Sequence, residues 1–359
     1  MDYLKRIQAL KAKLEAMESP AKLDLPFEEG RPPTQAFSEF LTNKEQGDWA
    51  EATFIANFNR TQQKFWAVKY GRSEDLVAGE TGFDSYYRAY QAELATIGKR
   101  PDLLVFDRKW FITAIGETVD ISTFDSVRLD SVIRHAKYAI EVRSSAFISK
   151  KYDARAAEAQ ASARELIRRC AKSLLDQYGA EVESLPGWGD YCRALLKDGI
   201  EGAGQSPRAG SRRATKRFEE ASDLTKEIKS ALRALASRDF LSITPKSGDL
   251  TLVYRWIERF SVPHYYCQVF FDRAVLLSFE EILTIIATPK RENLDYFIEA
   301  DEKNQRKVVF KINVALGREV MSDVKIPEHH SVMKELPKGR LLFYVRFNES
   351  AAQMPELEI

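Results

Sequence analysis

The sequence predicts a mixed α/β (α+β) protein in which helices flank a β-sheet. Several segments repeat apolar residues at helical spacing, two short apolar runs are typical of buried strands, and residues 249–286 follow a helix–hairpin–helix pattern. The chain has 359 residues, which exceeds one typical domain of about 100–200 residues. We therefore expect two packed lobes.

The helices are predicted from apolar stripes between charged residues. The first covers residues 1–18 and ends near Ser19-Pro20, and a Pro- and Gly-rich linker follows over 20–36. The second covers 44–59, where Trp49, Phe54 and Phe58 share one face. Further helices are predicted over residues 84–96, 154–178, 216–237, 249–260 and 280–286.

The strands are predicted from short apolar runs bounded by polar residues. The first run covers 102–106, directly after Arg100-Pro101, and the second covers 138–144. A hairpin is predicted over residues 265–271 and 274–279, and the tail has strand candidates at 307–314 and 341–347.

Composition excludes several classes of protein. The chain has 54 Lys and Arg against 53 Asp and Glu, and no apolar stretch approaches the ~20 residues that a membrane span needs. Three cysteines without CxxC spacing and four histidines without HxxxH spacing argue against a disulfide framework and a zinc site. We expect a cytoplasmic protein with no membrane association.

The candidate chemistry lies on the two predicted strands. Asp102 begins the first strand, and Glu141 and Arg143 project from one face of the second because residues two apart on a strand point the same way. Glu51 lies on the preceding helix. Two carboxylates and a cation at one sheet edge suit metal-assisted phosphodiester hydrolysis. A structural Glu141–Arg143 ion pair and a solvated Glu51 are the alternatives.

These residues carry a resemblance to a known family. Arg100-Pro101-Asp102 followed by Glu141-Val142-Arg143, with Glu51 upstream, resembles the PD-(D/E)xK nuclease superfamily. More narrowly, the chain resembles type II restriction endonucleases of the AccI family over about residues 45–290. The segments that prompt this narrower resemblance include 47–51, 99–106, 139–145, 243–256 and 262–272.

The resemblance implies a restriction-endonuclease-like core and a Mg²⁺-dependent enzyme of a restriction-modification system. It would act as a homodimer on double-stranded DNA at a short, near-palindromic site of the GTMKAC type. Asp102 and Glu141 would bind the metal. Arg143 stands where the motif normally has Lys, and Arg cannot act as a general base. Lys150 or Lys151 is the second choice for that role, and Asp120 or Asp125 is an alternative second ligand.

DNA contacts are predicted chiefly in a basic, Gly- and Ser-rich run, although a solvated linker is an equal alternative. The candidate DNA-binding residues are Arg100, Arg208, Arg212, Arg213, Lys216 and Lys246. Base reading by residues 303–306 and base stacking by Tyr86, Tyr87 and Tyr90 are weaker candidates.

We expect four regions along the chain. These are the N-terminal helix and linker (1–36), the nuclease core (37–200), a basic flexible loop (201–217) and a helical and strand region that completes the core (218–359). Two other functions fit the same residues. One is a structure-specific DNA repair nuclease, and the other is a non-catalytic DNA-binding protein whose acidic pair is structural.

Overall fold

A computed structural model describes residues 2–72, 76–208, 215–236, 240–301 and 307–357. The helices are α1 (Tyr3–Ala16), α2 (Ser38–Thr61), α3 (Phe83–Ile97), α4 (Arg108–Ala114), α5 (Ser126–Ile133), α6 (Ser149–Gln177), α7 (Gly179–Glu183), α8 (Trp188–Gly202), α9 (Lys216–Ala236), α10 (Ser247–Phe260) and α11 (Phe279–Ile286). Short 3₁₀ turns cover Pro289–Arg291 and Val314–Leu316.

The strands are β1 (Phe65–Lys69), β2 (Leu103–Asp107), β3 (Ala136–Ser144), β4 (Ser242–Ile243), β5 (His264–Val269), β6 (Arg273–Ser278), β7 (Tyr296–Asp301), β8 (Lys307–Asn313), β9 (Arg318–Ser322), β10 (His329–Glu335) and β11 (Leu341–Phe347). The mixed α+β class predicted from the sequence is confirmed. Within the described part of the chain, no helix combines the length and apolar character that crossing a membrane requires.

The main sheet has the strand order β1-β2-β3-β5-β6-β9. Its neighbours pair antiparallel except β3 and β5, which are parallel. Strands β4, β8 and β7 form a second sheet, and β10 and β11 form a hairpin. The parallel pair joins residues more than 100 positions apart in the chain, so helices α6 to α10 lie between its two strands in sequence.

One face of the main sheet packs against α2. Trp49, Phe54 and Phe58 of α2 are fully buried in the same apolar cluster as Ile140 and Val142 of β3. This apolar stripe is the one predicted for the second helix. Burying a large apolar side chain contributes about 1.5–3 kcal/mol, so this cluster holds the opposite, polar face of β3 in a fixed position.

The chain divides into two compact units, residues 1–149 with 241–359 and residues 150–240. The second unit has its own apolar core, in which Trp188 and Leu174 are fully buried. The four consecutive regions expected above stay a prediction; in the larger unit, the β3–β5 pairing joins segments from before residue 150 and after residue 240 in one sheet. Helix α8 also continues to Gly202, inside the stretch expected to be a loop.

Candidate active site

The polar face of β3 is the floor of a cavity of about 290 Å³ in the larger unit. Asp102, Glu141, Arg143 and Glu51 all line it, so the structure brings together the four residues predicted to be catalytic. Glu141 and Arg143 point away from the apolar cluster that holds Ile140 and Val142, as the alternation along a strand requires.

Asp102 lies directly opposite Glu141 in the β2–β3 ladder. The register pairs Leu103 with Ile140, and Asp102 is one step beyond that pair. Pro101 has no N–H and is suited to the position before a strand begins. The Asp102 carboxylate accepts a hydrogen bond from Val142 N at 2.6 Å through Oδ2, which fixes its orientation beside Glu141.

Two cations bind one oxygen of Glu141. Lys99 Nζ donates a hydrogen bond to Glu141 Oε1, and Arg143 Nη2 lies 3.0 Å from the same atom. The side chain of Glu141 is 1% exposed. Its other oxygen, Oε2, is buried without a hydrogen-bond partner among the described residues. A buried carboxylate oxygen without a partner is costly unless something positive binds it.

The environment separates the pKa values of the two carboxyl groups. Burial raises the pKa of Asp102 well above its usual value, and the negative charges of Glu141 and Glu51 add to that effect. Burial also works to raise the pKa of Glu141, but Lys99 and Arg143 outweigh it and lower the pKa. Glu141 is therefore ionised, and Asp102 takes up a proton more readily than an ordinary aspartate.

Both cations remain protonated. Burial and Arg143 work to lower the pKa of Lys99, but Glu141 outweighs them and the pKa is raised. Burial likewise opposes the charge on Arg143, while Glu141 and then Asp249 raise its pKa. Arg143 Nη2 is also 3.2 Å from Asp249 Oδ2, so α10 contributes a carboxylate that orients this guanidinium.

Sequence reasoning missed Lys99 and Asp249. Lys99 immediately precedes Arg100-Pro101-Asp102, and that proximity to the motif was the available signal. Asp249 carries no local signal, because it comes from a helix about 100 residues further along the chain. Gly98 has a φ of 80°, and this turn of the backbone brings Lys99 next to α10. Lys99 N donates a hydrogen bond to Leu252 O of α10 at 3.0 Å.

Glu51 forms part of a second ion-pair group in the same cavity. Lys69 Nζ of β1 lies 3.1 Å from Glu51 Oε2 and 3.6 Å from Asp48 Oδ1. Burial raises the pKa of Glu51, and the cation of Lys69 opposes this shift. The solvated alternative for Glu51 is therefore wrong, since its side chain is 16% exposed and paired.

The other candidate residues lie elsewhere. Arg100 lines the cavity, and its guanidinium pairs with Glu93 at 2.6 Å. Asp125 caps α5 by accepting from Arg128 N. Asp120 accepts from Ser122 N. Neither of these two aspartates lines the cavity.

Lys246 is half-buried at the start of α10, where its backbone pairs with that of Val309 as a single antiparallel β-bridge. Lys150, Lys151, Arg208 and Lys216 belong to the smaller unit and are exposed. Arg212, Arg213 and residues 303–306 lie outside the described residues.

The residues present fit a hard divalent cation. Mg²⁺ is typically held by one or two carboxylates, with waters and substrate phosphate completing its shell. Asp102 and Glu141 supply such a pair, and the buried Glu141 Oε2 has no hydrogen-bond partner among the described residues, which leaves it available to a metal ion. Among the described residues, no three His, Cys, Asp or Glu side chains form a complete metal site by themselves.

The fold and this cavity define a mixed α/β protein with an acidic pair and two cations at one end of neighbouring strands. The sequence matches the AccI restriction endonuclease family over residues 1–357, and the chain belongs to that family. It is therefore a DNA-cleaving hydrolase, and enzymes of this kind generally use a divalent metal. Comparisons with curated proteins and with solved structures found no match.

Proposed function

We propose that this chain is a Mg²⁺-dependent type II endonuclease of the PD-(D/E)xK kind. It would hydrolyse phosphodiester bonds in both strands of double-stranded DNA at a short, near-palindromic site. The observation that carries the proposal is the position of Asp102 opposite Glu141, with Lys99 and Arg143 on one oxygen of Glu141 and the other oxygen without a partner among the described residues. Three free, buried cysteines fit a reducing cytoplasm.

Asp102 and Glu141 would hold the metal, and Glu51 lines the same cavity as a further carboxylate. When bound, the metal would polarise the phosphate and lower the pKa of a water molecule. Lys99 and Arg143 bind Glu141 through Oε1 and so leave Oε2 available. This division of the two oxygens lets one carboxylate hold two protein cations and still act as a ligand.

The two cations would have different tasks. Arg143 stays charged at any relevant pH, so it would stabilise negative charge that develops on the phosphoryl oxygens. Lys99 would fill the role that the motif gives to lysine, ahead of Lys150 and Lys151, because it lines the cavity and binds Glu141. Its ammonium would donate a hydrogen bond that orients the attacking water.

A homodimer would place two such sites on the two strands of a near-palindrome. The N-terminal helix was one candidate for the dimer interface. Its apolar residues Ile7 and Leu14 are buried within the chain, and Arg6 pairs with Glu280 of α11. The apolar stripe of α1 is thus partly covered within the chain, with Leu4, Leu10 and Met17 half-buried, so we favour another surface for the dimer.

DNA affinity would come from phosphate contacts. Arg208 and Lys216 are exposed on the smaller unit, and we keep them as contacts of the duplex together with Arg212, Arg213 and Lys246. Arg100 would act differently, because Glu93 already binds its guanidinium. Arg100 would hold Glu93 of α3 in place and add positive charge to the cavity.

The decisive experiment is digestion of linear DNA of known sequence with Mg²⁺, followed by sequencing of the fragment ends. We expect discrete fragments whose ends share one site, and intact DNA with Asp102→Asn or Glu141→Gln. Intact DNA with folded wild-type protein in both Mg²⁺ and Mn²⁺ would overturn the proposal. Cutting at flaps or nicks in any sequence would instead identify a structure-specific nuclease. Salt-sensitive DNA binding without cutting would identify a non-catalytic binding protein.

A further inference from the structure

The catalytic cavity has a second wall that the chemistry above does not use. Helix α3 contributes Tyr86, Tyr90 and Glu93 to the lining, and Arg72 adds a guanidinium from the segment after β1. Residues 86, 90 and 93 follow the i, i+4, i+7 spacing of one helix face. We call Arg72, Tyr86 and Tyr90 the α3 wall.

The α3 wall combines aromatic rings with positive charge. The Arg72 guanidinium lies over the Tyr86 ring, 4.9 Å from its centroid. Arg72 and Arg100 share one acidic partner, Glu93, at 3.6 and 2.6 Å. Two guanidinium groups on one carboxylate leave a surplus of one positive charge at this wall.

The third tyrosine of this helix faces another direction. Tyr87 is not among the residues that line the cavity. Its hydroxyl lies against Gly30, where a methyl group on residue 30 would lie 2.4 Å from Oη. Tyr86 and Tyr90 are half-buried, so part of each side chain is accessible at the cavity. The helix therefore carries both the proposed contacts and a matched control.

The size of the cavity limits what it can accept. Its volume of about 290 Å³ is at the small end of ligand pockets, which start near ~300 Å³. A cavity of this scale takes one nucleotide of a bound strand, while the rest of the duplex stays outside. Six of the described lining side chains are cationic and five are acidic, so a bound metal and the surplus cation would favour a phosphodiester.

We propose that the α3 wall binds the nucleotide that flanks the scissile phosphate in the cleaved strand. Tyr86 and Tyr90 contact its sugar and base, and Arg72 binds its phosphate. This inference rests on the proposed nuclease function and adds a strand-positioning surface to it. Aromatic and phosphate contacts of this kind carry little sequence information, so the wall contributes to affinity for any DNA that enters the cavity.

The test is binding of a fluorescein-labelled duplex of mixed sequence in Ca²⁺, followed by single-turnover cleavage of linear plasmid DNA in Mg²⁺. We expect Tyr86→Leu/Tyr90→Leu to raise the Kd for the duplex about tenfold or more, since two aromatic contacts with the sugar and the base edge are lost. Tyr86→Phe/Tyr90→Phe retains the rings and should keep most of the affinity. At saturating protein, the cleavage rate of the Leu double variant should fall much less than the affinity.

Arg72 has a separate readout. Arg72→Gln removes one phosphate contact, so the slope of log K against log salt should become shallower by about 0.9. Tyr87→Leu is the control for helix α3 and should bind the duplex as the wild type does. Circular dichroism and thermal unfolding establish that each variant is folded.

The outcomes separate this inference from the nuclease proposal. If the wild type binds and cleaves DNA but the Leu double variant and Arg72→Gln bind as tightly, the α3 wall is not a DNA contact and the nuclease proposal stands. An equal loss of affinity in Tyr87→Leu would also overturn the inference. If the folded wild type neither binds nor cleaves DNA, both proposals fail together.

Discussion

Gly98 lies directly against the backbone carbonyl of Leu252. Its φ is 80°, and a Cβ atom at this position would be 2.2 Å from Leu252 O. This close approach joins the end of α3 to α10. It sets the position of Lys99, whose N–H donates to the same carbonyl, and thereby delivers its ammonium to Glu141.

Gly98→Ala should therefore lower the free energy of unfolding and weaken cleavage. Strain at a left-handed residue costs about 1–3 kcal/mol, and a clash with backbone adds to it. Gly116→Ala is the control, because Gly116 also has a positive φ but nothing within 4 Å of its Cβ position. Urea unfolding measures both, and equal losses would contradict the importance of the Leu252 contact.

Asp102→Asn should stabilise the metal-free protein at neutral pH while abolishing cleavage. The raised pKa of Asp102 means that the folded state holds a proton more tightly than the unfolded chain. Stability of the wild type consequently falls as pH rises from the ordinary aspartate pKa to the raised value. The Asn variant lacks this loss and retains an acceptor for Val142 N.

The measurement is urea unfolding in EDTA at pH 5 and pH 8. The stability advantage of Asp102→Asn should grow from the lower to the higher pH. A variant that is less stable than wild type at both values would show that the carboxylate serves the fold rather than a ligand.

Lys99→Met should reduce the cleavage rate by about 10²-fold or more, because the attacking water loses the group that orients it. Lys150→Met/Lys151→Met provides the matched control with the same change at exposed positions. Single-turnover digestion of plasmid DNA measures both, with circular dichroism to check folding. If the cleavage rate falls to a similar extent in both variants, Lys150 or Lys151 remains the candidate for the motif lysine.

His264 should make stability depend on pH in a second window. Burial lowers its pKa from 6.5 to about 4, so the unfolded chain takes up a proton first as pH falls. The stabilisation that neutral His264 gives the folded state is complete above pH 6.5 and is lost towards pH 4. Between pH 7 and pH 5 the free energy of unfolding should fall by about 2 kcal/mol from this group.

His264→Phe keeps a ring among Trp256, Tyr266 and Phe279 and removes this titration. Neither nitrogen of His264 has a hydrogen-bond partner among the described residues, so no bond is lost. Urea unfolding at pH 5 and pH 7 should show a smaller loss of stability on acidification in the variant. Equal losses in both proteins would place the titration elsewhere.

The local pattern of apolar residues was sufficient to predict the helix and the two strands that carry the acidic residues. Helix α2 and strands β2 and β3 begin and end within about seven residues of their predicted bounds, because an apolar stripe or run is a property of consecutive residues. Strand β1 (Phe65–Lys69) was not predicted, although it is as long as β2, and β10 was missed since it is largely exposed.

The class of fold, the family and the shared face of Glu141 and Arg143 follow from spacing and motif alone. The folded chain was needed to show that Lys99 and Asp249 complete the charge cluster and that Glu93 binds Arg100. It was also needed to show that two of three neighbouring tyrosines face the cavity. Those relationships depend on which helix packs beside which strand. Such packing is set by the summed burial of distant segments, and no short stretch of sequence records it.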